Sequence, residues 1–170
     1  PGGRQFEPNP VPLKFDCRLW RASKLHSQDM ADKDYLSHTS QDGRSFMDRA
    51  RAQGISVNAE NIASGSPTAR TVLDRWSASD EHCMNMMNPQ YTMVGIGHAH
   101  SSRAASGDYW TQMFNAEEVP AEESCYPARN AGRDLQTPLV EDVGNGTTPG
   151  ISVPGMPEIM PVSPVVERMG

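Results

Sequence analysis

Apolar residues recur every three or four positions after Asp16, and this spacing predicts an amphipathic helix that runs to about Lys33. Asp16 is suited to the N-cap because its carboxylate accepts hydrogen bonds from the first N–H groups of a helix. The predicted inner face consists of Leu19, Ala22, His26 and Met30. The histidine on this face is expected to be a hydrogen-bonded core residue rather than a ligand.

Two shorter helices are predicted from their start signals. Ser45 and Asp48 form a capping-box pattern after a turn at residues 40–44, and Gly54 ends the helix. This helix is expected to bury Phe46 and Ala50.

Ser66 followed by Pro67 is the pattern of an N-cap and a first helical residue, and Asn88–Pro89 ends the helical region. The stripe expected to face the core consists of Ala69, Val72, Leu73 and Trp76. A run of methionines follows, at Met84, Met86 and Met87. The run is typical of packing around a short helix, and a lipid groove is the alternative.

Two later segments alternate with a period of two, which predicts strands. The alternating residues are Thr92, Val94 and Ile96 in the first segment, and Tyr109, Thr111 and Met113 against Trp110, Gln112 and Phe114 in the second. The small, polar residues 101–107 between them predict an antiparallel hairpin with a loose loop. His98 and His100 lie two apart and should share one side, as an exposed polar edge or as a chelating pair.

The pattern ends near Pro127, which divides the chain into a predicted domain at 1–126 and a disordered tail at 127–170. The tail is rich in Pro and Gly and has no aromatic residue, so it cannot bury enough apolar surface to offset chain entropy. A glycosylation sequon begins at Asn145, and it indicates either a glycosylated extension or a chance tripeptide.

Composition excludes several functional classes. The formal net charge is −6 without a basic stripe, which argues against a nucleic-acid partner. No apolar run has the length of a transmembrane segment. The short zinc-protease motif and the Gly-x-Ser-x-Gly elbow are both missing. The chain starts at Pro1, as expected for a processed chain or a fragment, so a missing leader does not argue against secretion.

Three cysteines, Cys17, Cys83 and Cys125, lie far apart in the sequence. None forms a Cys-x-x-Cys pair, which argues against a zinc ribbon. Counting alone leaves two alternatives, which are one disulfide with a leftover thiol in an oxidising compartment, or three buried thiols.

Four ordered groups of motifs resemble the CAP superfamily, which comprises cysteine-rich secretory proteins, antigen 5 and pathogenesis-related 1 proteins. The similarity is greatest to the shorter bacterial and protist members and covers residues 11–115. The motifs are Pro12–Asp16 with Leu25–Ala31, Tyr35–Thr39 with Asp42–Ser45, Glu60–Ala63, and Trp76–His82 with Met87–Tyr91, Val94–Gly97 and Tyr109–Gln112. The ordered set is far more specific than any one motif.

The resemblance implies a three-layer α/β/α sandwich with a small antiparallel sheet, secretion, and a cleft lined by histidines and acidic residues. The cleft histidines match His38 and His82, and the cleft glutamate matches Glu60. Ser79 and Met93 stand where many members have acidic residues. The neighbouring Asn61 is expected to orient the main chain or the Glu60 carboxylate.

Related sequences with a cysteine after the second cleft histidine suggest a disulfide between Cys17 and Cys83, although Cys125 is an equally suitable partner for either. The cleft set of His38, Glu60 and His82 has three interpretations. It can hold zinc or another divalent metal with water, perform acid–base chemistry, or form a structural hydrogen-bonded network. No cofactor is required.

These observations predict a secreted, monomeric, non-enzymatic binding protein. Its partner is expected to be a lipid or sterol, or an extracellular protein, bound at or near the cleft. One alternative is a metal-dependent hydrolase that uses the cleft residues. The other is a structural or defence-related surface protein, as the Pro-rich tail suggests.

Overall fold

The computed structural model describes residue 6 and residues 9–127. The predicted tail, including the sequon at Asn145, lies outside the described residues apart from Pro127. The described elements are, in chain order, β1 (Lys14–Phe15), α1 (Cys17–Lys33), α2 (Phe46–Arg51), β2 (Ala59–Ser64), α3 (Ala69–Ser77), α4 (Asp80–Met86), β3 (Met93–His100) and β4 (Asp108–Asn115). Within this part of the chain, no helix is both long and apolar enough to cross a membrane.

The helix α1 confirms the prediction at both ends and along its inner face. The Asp16 carboxylate accepts hydrogen bonds from the main-chain N–H groups of Arg18 and Leu19. All four residues of the predicted inner stripe are buried. His26 is a core histidine as expected, because its Nε2 lies 2.8 Å from the carbonyl oxygen of Ser37.

The start of α2 is confirmed, whereas the start predicted for α3 is wrong. Ser45 and Asp48 form the capping box of α2. The N-cap of α3 is Thr68, whose hydroxyl accepts from the Thr71 N–H, and not Ser66. Ser66 is buried and its carbonyl accepts from Trp110 Nε1 at 2.7 Å, so it anchors the strand-to-helix connection.

The α3 stripe is narrower than predicted. Val72 and Trp76 are buried, whereas Ala69 and Leu73 are exposed. The core contact of α3 is therefore made by one residue per turn.

The sheet has the strand order β1-β3-β4-β2. The predicted β3–β4 hairpin is antiparallel and pairs Val94 with Phe114. The strand β2 also pairs antiparallel with β4, and β1 adds two residues parallel to β3, which makes the sheet mixed rather than purely antiparallel. The hydrophobic pattern did not reveal β2, because Glu60 and Asn61 at its centre are polar and yet buried.

Helices cover both faces of the sheet, which confirms the three-layer α/β/α sandwich. On one face, α1 packs Leu19 and Ala22 against Met93 and Met113 of the hairpin. On the other face, α3 packs its two buried residues against the sheet. The sheet residues of that second cluster are Ala63 and Trp110, with Ile96 partly buried beside them.

The helix α1 passes unusually close to β3 at two glycines. A Cβ atom at Gly95 would lie 2.3 Å from the main-chain carbon of Leu19, and one at Gly97 would lie 2.2 Å from the main-chain nitrogen of Lys24. The hydroxyl groups of Ser23 and Ser27 donate to the carbonyls of these glycines. The small residues therefore allow direct contact between the helix and the strand main chain.

We expect Gly95→Ala to lower the free energy of unfolding by about 1–3 kcal/mol, because the added methyl group meets main-chain atoms that cannot move without displacing α1. Urea denaturation followed by circular dichroism measures the change. An unchanged midpoint would contradict the close approach of α1 to β3.

Candidate functional site

The loop between α1 and α2 brings His38 to Glu60 of β2. His38 Nδ1 lies 2.9 Å from Glu60 Oε1. The Glu60 side chain is 1% exposed, whereas that of His38 is 54% exposed. Because a carboxylate only accepts hydrogen bonds, His38 Nδ1 is the donor at this contact, and in the neutral tautomer this leaves Nε2 as an acceptor.

A residue that the sequence reasoning missed, Arg49, holds the other oxygen of this carboxylate. Arg49 Nη2 lies 2.6 Å from Glu60 Oε2, and the two side chains are only 4% and 1% exposed. Arg49 Nη1 donates to the carbonyl of His38 and to the hydroxyl of Ser40. The guanidinium group thus fixes both Glu60 and the loop that carries His38.

The second histidine, His82, lies in α4. Its Nδ1 shares a hydrogen bond of 2.9 Å with the hydroxyl of Ser79. Ser79 is the N-cap of α4 but makes no side-chain capping bond, so its hydroxyl is available to orient the imidazole. Burial lowers the pKa of His82; the positive charge of Arg75 acts in the same direction, and the negative charge of Glu81 opposes it. His82 is therefore neutral at pH 7.

Asn61 ties α4 to the sheet and does not contact the Glu60 carboxylate. Its Nδ2 donates to the carbonyl of His82 at 3.2 Å, and its Oδ1 accepts from Asn85 at 2.8 Å. Because successive residues of a strand point to opposite faces, Glu60 holds the His38 loop on one face and Asn61 holds α4 on the other. The residues expected to line the cleft therefore lie on both faces of the sheet at the edge strand β2.

The residues of the cleft do not fit a catalytic zinc site. Such a site uses three protein ligands; here the described residues offer the two imidazole Nε2 atoms, whereas both oxygens of Glu60 are engaged. Among residues 9–127, no group of three or more His, Cys, Asp or Glu side chains is arranged to hold a metal ion.

The suggested disulfide between Cys17 and Cys83 is wrong. Cys17 is bonded to Cys125, and Cys83 is a free, half-buried thiol. The segment after β4 returns to the start of α1, where the Cys17 N–H donates to the carbonyl of Glu122. Cys83 lies in α4, which is fastened to the opposite face of the sheet, and so it cannot reach Cys17.

The remaining candidates are the two histidines of β3, which form a cluster with Asp108, and the three methionines near α4, which differ in exposure. His98 Nε2 and His100 Nδ1 lie 2.8 and 3.2 Å from one oxygen of Asp108, so both histidines do face the same side. The ring of His98 stacks on Trp110 at 4.1 Å. Of the three methionines around α4, Met84 is exposed and the other two are half-buried.

Acid should destabilise the domain through His26. Burial lowers the pKa of His26, and the charge of Arg49 lowers it further. The unfolded chain binds this proton below a pKa of about 6.5, so stability is complete above that pH. It falls with decreasing pH towards the pKa of the folded state, by up to about 1.4 kcal/mol per pH unit for each such histidine.

We expect urea denaturation to show this loss between pH 7 and pH 5, with a smaller slope in His26→Asn. Carboxylates with lowered pKa values contribute only in more acidic solution, near their ordinary pKa of about 4. His82→Asn should also reduce the slope, because burial lowers the pKa of His82 in the same direction. Equal slopes in wild type and His26→Asn would contradict this role of His26.

Comparison with known proteins identifies the sequence family. The family model described as the cysteine-rich secretory protein family, CAP, matches residues 9–114. The Bacillus subtilis proteins YkwD and YlbC are 38% and 30% identical over 105 and 104 residues, and YlbC is described as a membrane protein. These segments are 61% and 60% of this chain but only 39% and 28% of the relatives.

A solved structure shows the same fold. It is an extracellular protein containing an SCP domain from Bacillus anthracis, with 27% sequence identity and a TM-score of 0.53. The match covers 62% of this chain and 34% of that protein.

Proposed function

This chain belongs to the cysteine-rich secretory protein (CAP) family, and on that premise we propose that it is a binding module that works outside the cell. Its cleft holds a ligand between His38 and His82 without converting it chemically. The description of the Bacillus anthracis relative as extracellular supports the location.

The pairing of Glu60 with Arg49 carries the proposal. A general base must be free to take a proton from the reacting group. Both Glu60 oxygens are instead held, at 2.9 Å by His38 and at 2.6 Å by Arg49, and the carboxylate is buried. The two imidazoles remain as hydrogen-bonding groups, each fixed through Nδ1. This arrangement supports recognition of a polar ligand, which favours a protein partner.

A lipid or sterol is the alternative ligand, and a groove outside the histidine pair favours it. This groove, of about 400 Å³, is lined by Met47, Ile55 and Val57 with Arg51 at its side. Its volume lies within the range of small-molecule sites, roughly 300–1,000 Å³. Neither cleft histidine lines it.

A hydrolase is the second candidate function, because Glu60 orients His38 as a carboxylate orients a general base. In this alternative, His38 Nε2 would accept a proton from water. The positive charge of Arg49 beside Glu60 reduces the support that the carboxylate gives to an imidazolium ion.

Two assays separate these functions. The binding assay measures affinity for a displayed library of linear heptapeptides and for a fluorescent fatty acid. The second assay follows turnover of peptide and ester substrates with zinc present. We expect peptide binding, at least tenfold weaker in the His38→Ala/His82→Ala double variant, and no turnover.

The matched control is the His98→Ala/His100→Ala double variant, which removes two histidines outside the cleft. It should bind as the wild type does. Turnover that disappears in His38→Ala would overturn the binding function in favour of the hydrolase. Fatty-acid binding that survives the loss of both cleft histidines would place the ligand in the groove.

A further inference from the structure

The strand β2 forms one edge of the sheet, because the order is β1-β3-β4-β2. Gly65, which continues the register of β2, donates its N–H to the carbonyl of Asp108 on β4. In an antiparallel pair, residues alternate between those that bond to the partner strand and those whose main-chain groups point away. The main-chain groups of Glu60, Ile62 and Ser64 therefore face the free edge.

At the Ile62–Ser64 half of this edge, side chains of α3 donate hydrogen bonds to the outward main-chain carbonyls. Trp76 Nε1 donates to the carbonyl of Ile62 at 3.3 Å, and Arg75 Nη1 donates to the carbonyl of Ser64 at 2.6 Å. These bonds satisfy the outward carbonyls with side-chain donors, so no further strand can pair there.

The other half of the edge is open at Glu60. The sheet alternation directs the main-chain N–H and carbonyl of Glu60 away from β4, and among residues 9–127 no turn, loop or side-chain hydrogen bond reaches either group. Glu60 as a whole residue is 6% exposed, whereas its side chain is 1% exposed, so the accessible surface belongs to its main chain. An outward donor and an outward acceptor thus lie side by side on a main chain that keeps a small accessible surface, as on a strand that awaits a partner.

The opposite edge of the sheet lacks this feature. The strand β1 has only two residues, one of which is Lys14, and Pro12 lies two residues before it. Short length, lysine and proline are the devices by which proteins protect sheet edges from pairing. The strand β2 carries neither lysine nor proline over Ala59–Ser64. Its open half, at Glu60, lies between the contact to His38 and the contact of Asn61 to the main chain of His82.

We propose that the cleft takes an extended polypeptide segment of a protein partner, which adds to the free edge of β2 by pairing its main chain with Glu60. This inference rests on the binding function proposed above and names the ligand class. The ligand donates one N–H to the Glu60 carbonyl and accepts from the Glu60 N–H. Its neighbouring side chains meet the Nε2 atoms of the two imidazoles, and a donor group such as a hydroxyl or amide suits His38.

A polypeptide fits this edge better than a lipid does. In an extended chain, one residue presents its N–H and its C=O on the same side, and the next residue to do so lies two positions on, about 6.6 Å along the chain; a polypeptide main chain supplies this paired donor and acceptor, and a lipid does not. The covered carbonyl of Ile62 limits the pairing to the part of the edge around Glu60. The expected interaction is therefore a short one, of two or three ligand residues.

The test uses the heptapeptide that binds most tightly from a displayed linear library, synthesised with a single N-methyl group at each amide in turn. We expect one methylation to weaken binding about tenfold or more, because it removes the N–H that donates to Glu60. Methylation of the adjacent amides, which point away, should have little effect. In hydrogen-exchange NMR, the Glu60 amide should become protected when the peptide binds. The Asn61 amide faces β4 and should not change.

Each other outcome overturns strand addition in a distinguishable way. In one outcome, binding requires the two histidines, but no single N-methylation weakens it and the Glu60 amide is not protected. That result would contradict strand addition and leave the proposed binding function intact. Selected peptides that bind equally to the His38→Ala/His82→Ala variant, or no selected peptide at all, would place the ligand elsewhere or in another chemical class. A protected Glu60 amide without peptide, in a protein that sediments as a dimer, would assign the edge to a second copy of the chain.

Discussion

Glu60→Gln is expected to lower the free energy of unfolding by about 3–5 kcal/mol, the cost of leaving one buried charge without its partner. The substitution keeps the shape of the side chain but removes the negative charge that Arg49 contacts at 2.6 Å. Arg49 is only 4% exposed, so water cannot replace the lost interaction. Urea denaturation measures the loss, and the thermal midpoint should fall with it.

Two controls test the cause. Asp42→Asn breaks an exposed ion pair with Arg44, which solvent screens, and should cost far less than Glu60→Gln. Arg49→Met combined with Glu60→Gln removes both charges, together with an Arg49 Nε that has no hydrogen-bond partner among the described residues. This double variant should be more stable than Glu60→Gln alone. If Glu60→Gln costs no more than Asp42→Asn, the buried pair does not stabilise the fold.

Cys125→Ser should lower the free energy of unfolding by about 2–5 kcal/mol, because the bond to Cys17 closes a long loop. The two cysteines are 108 residues apart in the sequence, so the bond restricts most of the described chain in its unfolded state. Denaturation of the oxidised protein, with and without a reductant, measures the same quantity independently of the substitution.

Cys83→Ser is the matched control, because Cys83 is free and half-buried. It should change stability by much less and should respond to reductant as the wild type does. If Cys83→Ser and not Cys125→Ser abolishes the response to reductant, the disulfide involves Cys83.

Local patterns predicted the elements that depend on local interactions. The cap at Asp16, the inner stripe of α1 and the β3–β4 hairpin all follow from residues close together in the sequence, and the structure confirms them. The strand β2 was missed because its burial depends on partners outside the strand. Glu60 is satisfied by His38 and Arg49, and without those bonds its carboxylate could not be buried.

The candidate site likewise combines features that local sequence predicts with features that depend on distant contacts. His38 and Glu60 are 22 residues apart, and no spacing rule pairs them, so only the family resemblance placed them together. Arg49 did carry a usable signal. It lies three residues after Phe46 and one before Ala50, which places it on the inner face of α2, where a cation needs a buried anion. The disulfide could not be deduced, because the return of residues 120–126 to the start of α1 is set by tertiary contacts such as the Cys17 bond to Glu122.

The two walls of the cleft are anchored very differently. The His38 wall is fixed by the buried Arg49, whereas α4, which carries His82, has no buried residue and is held by the hydrogen bonds of Asn61 and by the half-buried Met86. A segment with few buried contacts opens at a lower free-energy cost than the core. In the proposed binding function, α4 is therefore the wall that moves to fit ligands of different size, while Arg49 keeps the His38 wall in place.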